Sequence, residues 1–138
     1  MQLLSCFLIV FLSSCLGKLD QKQMQSTIEQ AKACYKELGM AEDSDLVMRA
    51  IQNVDLDFSD QEVDFIRCVQ LKQGVLDAEG NYHTQKIKDF FLQSKTFNEE
   101  NVNEVVDACF DLPEEMPVKE KVRKSYSCLL TKKKFDFV

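Results

Sequence analysis

The cysteines are the residues of this sequence with the most specific chemistry. The chain has six, and four of them, Cys34, Cys68, Cys109 and Cys128, are spread along most of its length. No two of these four are close enough for a Cys-x-x-Cys motif, which disfavours a redox-active pair or a zinc site. Their remaining chemistry is the structural disulfide, which persists in an oxidising compartment. The spacing by itself leaves all three pairings open.

The first 17 residues indicate in which cellular compartment the protein resides. They carry no charged side chain, and a short apolar run at 7–12 is followed by small residues and Gly17. This pattern predicts a signal peptide over residues 1–17, which would remove Cys6 and Cys15 and leave Lys18 first. The alternatives are a cut after Cys15, a buried apolar helix, or a bacterial lipoprotein lipidated at Cys15. The absence of a basic residue near the N-terminus counts against the lipoprotein. We expect a chain secreted into extracellular fluid, with two disulfides.

Other reactive side chains are sparse. His83 is the only histidine, and no Gly-x-Ser-x-Gly sequence accompanies it, which disfavours a Ser-His-Asp hydrolase. The acidic stretch from Asp55 begins like a calcium loop but has Asp60 and Ile66 where such a loop needs Gly and Glu. We therefore expect no catalytic residue, no enzymatic activity, no cofactor and no bound metal.

The elements that position the cysteines are predicted to be helices. Apolar residues recur at helical spacing, and no window alternates as a strand would. Ser44, Thr84 and Asn98 stand before apolar runs as candidate caps, and Ser59 with Glu62 forms a capping box. We predict an all-α fold, a compact bundle of about six short helices. Their apolar faces fall within residues 24–38, 46–54, 63–71, 87–91, 102–110 and 118–130.

Charge and composition limit the partners. The 138 residues carry a formal charge of −6, and an acidic surface disfavours nucleic acid, because binding phosphates requires cations. No apolar stretch after residue 17 reaches membrane-spanning length, so we expect no membrane insertion. Because no linker or repeat interrupts residues 18–138, we predict a single domain there.

Secretion, six short helices and this cysteine spacing together resemble the insect odorant-binding protein family. In that family, six cysteines pair first with third, second with fifth and fourth with sixth. This sequence has Asp64 and Lys119 where the second and fifth cysteines would stand. The chain therefore resembles the four-cysteine "Minus-C" branch, which lacks the middle bridge.

The resemblance implies two disulfides, Cys34–Cys68 and Cys109–Cys128. It also suggests a role for the two replaced positions, because they carry opposite charges. We hypothesise that Asp64 and Lys119 form an ion pair in place of the missing bridge. The alternative is that they are unrelated surface charges.

The same resemblance implies a carrier of small hydrophobic ligands in an internal apolar cavity, for olfaction or pheromone binding. Helical periodicity alone does not reveal such a void. Tyr126 is the hydroxyl that we expect to orient a ligand. Phe135 and Phe137 would form a lid if the tail folds back, or a frayed terminus if it does not. The side chains expected to line the cavity are Val47, Ile51, Phe65, Leu76, Phe90, Phe91, Val106, Phe110, Tyr126, Leu129 and Phe137.

Other readings stay open. His83 is either a solvated loop residue or a group whose protonation in acid would release the ligand, as the resemblance suggests. A second function class is a secreted helical signal or inhibitor that binds a protein and has no cavity. A third keeps the fold but makes it a scavenger in saliva or haemolymph. For a carrier, the partners considered are the small hydrophobic ligand and a membrane receptor, with the chain a monomer or weak homodimer.

Overall fold

The computed structural model describes residues 19–42, 45–46, 49 and 54–135. Within these ranges the chain forms five α-helices and one isolated antiparallel bridge, between Leu76 and Tyr82. The prediction of an all-helical fold is thus confirmed. The helices are α1 (Gln21–Glu37), α2 (Asp60–Gln73), α3 (Thr84–Leu92), α4 (Glu99–Phe110) and α5 (Val118–Lys132). None of these described helices has the length and hydropathy that a membrane span requires.

The expected helix over residues 46–54 falls mostly outside the described residues. Leu46 and Arg49 are helical, and Leu46 is buried. Val54, which was expected on the apolar face, lies outside any helix and is 53% exposed. Five helices are therefore described where about six were predicted.

Local sequence sets the helix ends. Ser59 and Glu62 form the predicted capping box at the start of α2, and Asn98 accepts a hydrogen bond from the backbone N–H of Asn101 at the start of α4. At the start of α3, however, the expected cap was wrong by one residue. Thr84 is the first helical residue, and His83 holds the cap position without a side-chain hydrogen bond.

Two disulfides hold the helices together. Cys34 of α1 is bonded to Cys68 of α2, with Cα atoms 5.9 Å apart, and Cys109 of α4 to Cys128 of α5, with Cα atoms 5.5 Å apart. These are the pairings that the family resemblance implies. Because α2 also packs against α5, the two covalently linked helix pairs meet along that contact.

The interior contains two groups of buried side chains. The first, which we call the α1–α2 cluster, consists of Cys34, Tyr35, Leu46, Phe58, Val63, Phe65, Ile66, Leu76, Val122 and Leu130. The second, the α3–α4 cluster, consists of Val75, Ile87, Phe91, Phe97, Val102, Val105, Val106, Cys109, Phe110 and Leu129. Tyr82 and Tyr126 pack against both clusters and form the boundary between them.

The turn between α2 and α3 is fixed against α5. Gly80 has φ of +87°, and a Cβ atom at this position would clash with the side chain of Val118. The carbonyl of Gly80 accepts a hydrogen bond from the buried ammonium of Lys121 at 3.2 Å. Only glycine suits both the left-handed backbone and this close approach.

Candidate functional site

The predicted lining residues divide between the two clusters. Phe65 and Leu76 belong to the α1–α2 cluster, and Tyr126 packs against both. The larger share, Phe91, Val106, Phe110 and Leu129, is buried in the α3–α4 cluster, with Phe90 partly buried beside it. Three further predicted residues, Val47, Ile51 and Phe137, lie outside the described residues. A ligand that touched the whole described set would therefore have to contact both sides of the Tyr82 and Tyr126 boundary.

A buried hydrogen-bond chain crosses this boundary. The hydroxyl of Tyr82 donates to Oε1 of Gln70 at 2.7 Å and accepts from the hydroxyl of Ser125 at 2.9 Å. Gln70 is 6% exposed and Ser125 is fully buried. Burial raises the pKa of Tyr82 to about 12, and the two hydrogen bonds offset part of that rise. Tyr82 is therefore a neutral phenol with two hydrogen bonds, and it links α2 and α5 to the turn between α2 and α3.

The sequence analysis did not predict this chain of hydrogen bonds, although the sequence contains a signal for it. Gln70 follows Ile66 by one helical turn, and Ser125 lies between Val122 and Leu129 on the apolar face of α5. A polar residue at a core position of a periodic pattern requires a buried partner. What the pattern could not supply was the identity of that partner, because Tyr82 comes from a turn.

Tyr126 differs from Tyr82 in its polar surroundings. Its ring packs 5.8 Å from the ring of Phe58, centroid to centroid. Burial alone raises the pKa of Tyr126 to about 12, with no hydrogen bond contributing. We find no hydrogen bond from its hydroxyl to any residue that the structure describes. Tyr126 thus presents a neutral O–H donor in apolar surroundings at the boundary between the clusters.

Four phenylalanines close one end of the α3–α4 cluster. The ring of Phe91 lies 5.4 Å from Phe90 and 5.9 Å from Phe97. Phe135, after the end of α5, packs 4.8 Å from Phe97. The tail as far as residue 135 therefore folds back onto the cluster, while Phe137 lies beyond the described residues.

His83 lies on the surface beside a carboxylate. Its Nε2 is 3.2 Å from Oδ2 of Asp77, and its side chain is 44% exposed. The pKa of Asp77 is lowered, mainly because its carboxylate accepts a hydrogen bond from the backbone N–H of Asn81. His83 belongs to neither of the two apolar clusters. This placement supports the solvated-loop reading.

Asp64 and Lys119 approach each other across the α2–α5 contact. The ammonium of Lys119 is 3.2 Å from Oδ1 of Asp64, with side-chain exposures of 55% and 36%. A second ion pair, Arg123 to Asp60 at 2.9 Å, joins the same two helices. The two positions that would carry cysteines in the six-cysteine pattern are thus adjacent here.

Comparisons with known proteins agree with this architecture. The sequence model of the PBP/GOBP family matches residues 17–132. Among solved structures, the odorant-binding protein dmelOBP28a from Drosophila melanogaster is similar to this chain, with a TM-score of 0.63 and 18% sequence identity. The match covers 82% of this chain and 94% of that one, and at this identity it demonstrates the fold alone. A comparison with curated protein sequences finds no match.

Proposed function

Since this chain belongs to the PBP/GOBP family, we propose that it is a secreted carrier that reversibly binds small hydrophobic molecules in its interior. The ligand class comprises odorants, pheromones and fatty-acid-like compounds. The predicted resemblance to odorant-binding proteins is confirmed by the family match and the similar fold. Ligand binding and secretion are the parts of this function that experiment has to test.

The observation that carries the proposal is the placement of Tyr126. Its ring is partly buried where the two apolar clusters meet, and its hydroxyl donates to none of the described residues. A ligand acceptor that received a neutral hydrogen bond from this hydroxyl would gain about 0.5–1.5 kcal/mol. Apolar contact supplies the rest, because each 100 Å² of apolar area removed from water contributes roughly 2.5 kcal/mol.

The proposed polar contact defines a test with matched ligands. A ketone and an alkane of equal chain length are titrated against the wild type and Tyr126→Phe by displacement of an apolar fluorescent probe. Because a neutral hydrogen bond contributes about 0.5–1.5 kcal/mol, Tyr126→Phe should weaken the ketone roughly 2- to 10-fold and leave the alkane unchanged. Tyr35→Phe is the matched control, because it removes another core tyrosine hydroxyl from a residue that belongs to the α1–α2 cluster alone and does not pack against both clusters; it should leave the affinities for ketone and alkane unchanged.

The outcomes separate the role of Tyr126 from the function itself. Equal loss of ketone and alkane would mean that Tyr126 only packs, although the carrier function would stand. If no apolar ligand binds stoichiometrically, the carrier proposal fails and a protein-binding signal or inhibitor becomes the better reading. The intact mass of the protein secreted by its native host tests export, with Lys18 expected as the first residue and four oxidised thiols.

A further inference from the structure

A groove open to solvent lies where α1 meets α2, beside the Cys34–Cys68 disulfide. Its volume is about 350 Å³, within the range of small-molecule sites. None of the predicted interior lining residues takes part in it. The groove is lined by Glu37, Leu38, Asp64, Arg67, Cys68, Leu71 and Lys72.

Most charges of this groove compensate each other. The ammonium of Lys72 is 2.7 Å from a carboxylate oxygen of Glu37, and Asp64 is paired with Lys119. Arg67 is the exception, since it has no ion pair and no hydrogen bond to the residues that the structure describes. Its Nε is buried without a partner. The groove therefore contains one cation that has no charged partner among the described residues, and the terminal N–H groups of its guanidinium form no hydrogen bond to them.

The groove also has an apolar side. Leu71 is 38% exposed, although it is a large apolar residue, and Leu38 and the Cys68 sulfur lie beside it. A guanidinium matches a carboxylate in charge and in bidentate geometry. Since the whole protein carries a charge of −6, it would repel a large acidic partner far more strongly than a small monoanion, because the repulsion grows with the charge of the partner.

We propose that this groove is a second binding site, which takes a small organic carboxylate with a short hydrocarbon tail. The carboxylate pairs with Arg67, and the tail lies against Leu38 and Leu71. The site is independent of the interior carrier site, so either can fail without the other.

The test uses octanoate, octanol and acetate as probes of head group and tail. Backbone amide shifts of the full secreted chain are followed by NMR, with Arg67→Gln as the variant. Lys72→Gln is the matched control, because that cation lines the same groove but is already paired. Octanoate should shift amides in 64–72, and Arg67→Gln should weaken this binding about 10-fold, consistent with loss of a charge-assisted pair. Lys72→Gln should change it less than about 3-fold, as expected for an exposed pair.

Four results would overturn the proposal. They are octanoate binding unchanged in a folded Arg67→Gln variant, octanoate shifts confined to the interior clusters, equal shifts with octanol, and acetate binding as tightly as octanoate. The first and third would exclude a role for the arginine–carboxylate pair. Shifts confined to the interior clusters would place octanoate in the carrier site, and tight binding of acetate would show that the hydrocarbon tail contributes nothing to the affinity. An Arg67→Lys variant retains the positive charge but not the planar guanidinium, and its affinity for octanoate should fall between those of the wild type and Arg67→Gln.

Discussion

The ion pair between Asp64 and Lys119 stands where the six-cysteine pattern has a covalent bridge, and its strength can be worked from its geometry. At 3.2 Å the pair gains about 1.3 kcal/mol in bulk-water dielectric, before the entropy of fixing two side chains is subtracted. Since both side chains are more than a third exposed, we expect a coupling of only about 0.2–1 kcal/mol. A disulfide closing the same separation of 55 residues would contribute up to about 4 kcal/mol.

A double-mutant cycle measures this coupling directly. Urea unfolding of the oxidised wild type, Asp64→Asn, Lys119→Gln and the double variant gives four free energies of unfolding. The cycle cancels the change in net charge that each single substitution causes. The coupling should fall in about 1 M salt, where the Debye length is about 3 Å.

The pair Glu120–Lys124 provides the comparison, because it has the same 3.2 Å separation and similar exposure but lies within α5. Its cycle should give about 0.3–0.5 kcal/mol. A coupling of zero between Asp64 and Lys119 at low salt would refute the ion pair as a tie between α2 and α5. A coupling above about 2 kcal/mol would refute the screening argument instead.

Three further substitutions test other contacts. Phe135→Ala should cost about 1–2 kcal/mol in urea unfolding, less than a fully buried Phe, because its half-buried ring packs on Phe97; an unchanged stability would mean that the tail does not pack in solution. Gly80→Ala should cost about 1–3 kcal/mol from overpacking against Val118, and Val118→Ala in that background should recover part of it. Asp77→Asn should destabilise the protein above the ordinary Asp pKa of 3.8. Since the folded-state pKa is lowered, this difference should vanish as pH falls through that lower value; a difference that persisted well below pH 3.8 would contradict this assignment.

Local rules predicted the helices well where caps and periodicity agree. The face of α4 follows from its apolar spacing, and Val102, Val105, Val106, Cys109 and Phe110 are all buried. In α1 the same spacing placed Ile28 on the apolar face, yet it is 44% exposed. Periodicity identifies residues that share a face, but it does not say whether another element covers that face.

Non-local partners were beyond the reach of sequence reasoning. Lys121 lies among other cationic residues on the amphipathic helix α5 and would be expected to be solvated, whereas it is 4% exposed and donates a hydrogen bond to the Gly80 carbonyl. The division of the interior into two clusters was equally hidden, because it depends on where the turn carrying Tyr82 docks. The sequence could thus identify the candidate lining residues as apolar side chains that point inward, but it could not assign each of them to one of the two clusters.

The boundary between the clusters constrains how a guest can enter. Tyr82 is held by two hydrogen bonds, and its ring packs edge-on, 5.0 Å from Phe110. Moving Tyr82 would leave the amide oxygen of the buried Gln70 without that donor, which costs about 1–3 kcal/mol, whereas the Ser125 hydroxyl still has the Val122 carbonyl as an acceptor. Tyr126 has no such bonds among the described residues, so it is the cheaper of the two to displace. A ligand that spans both clusters should therefore displace Tyr126 and leave Tyr82 in place, which also brings the ligand's acceptor to the Tyr126 hydroxyl.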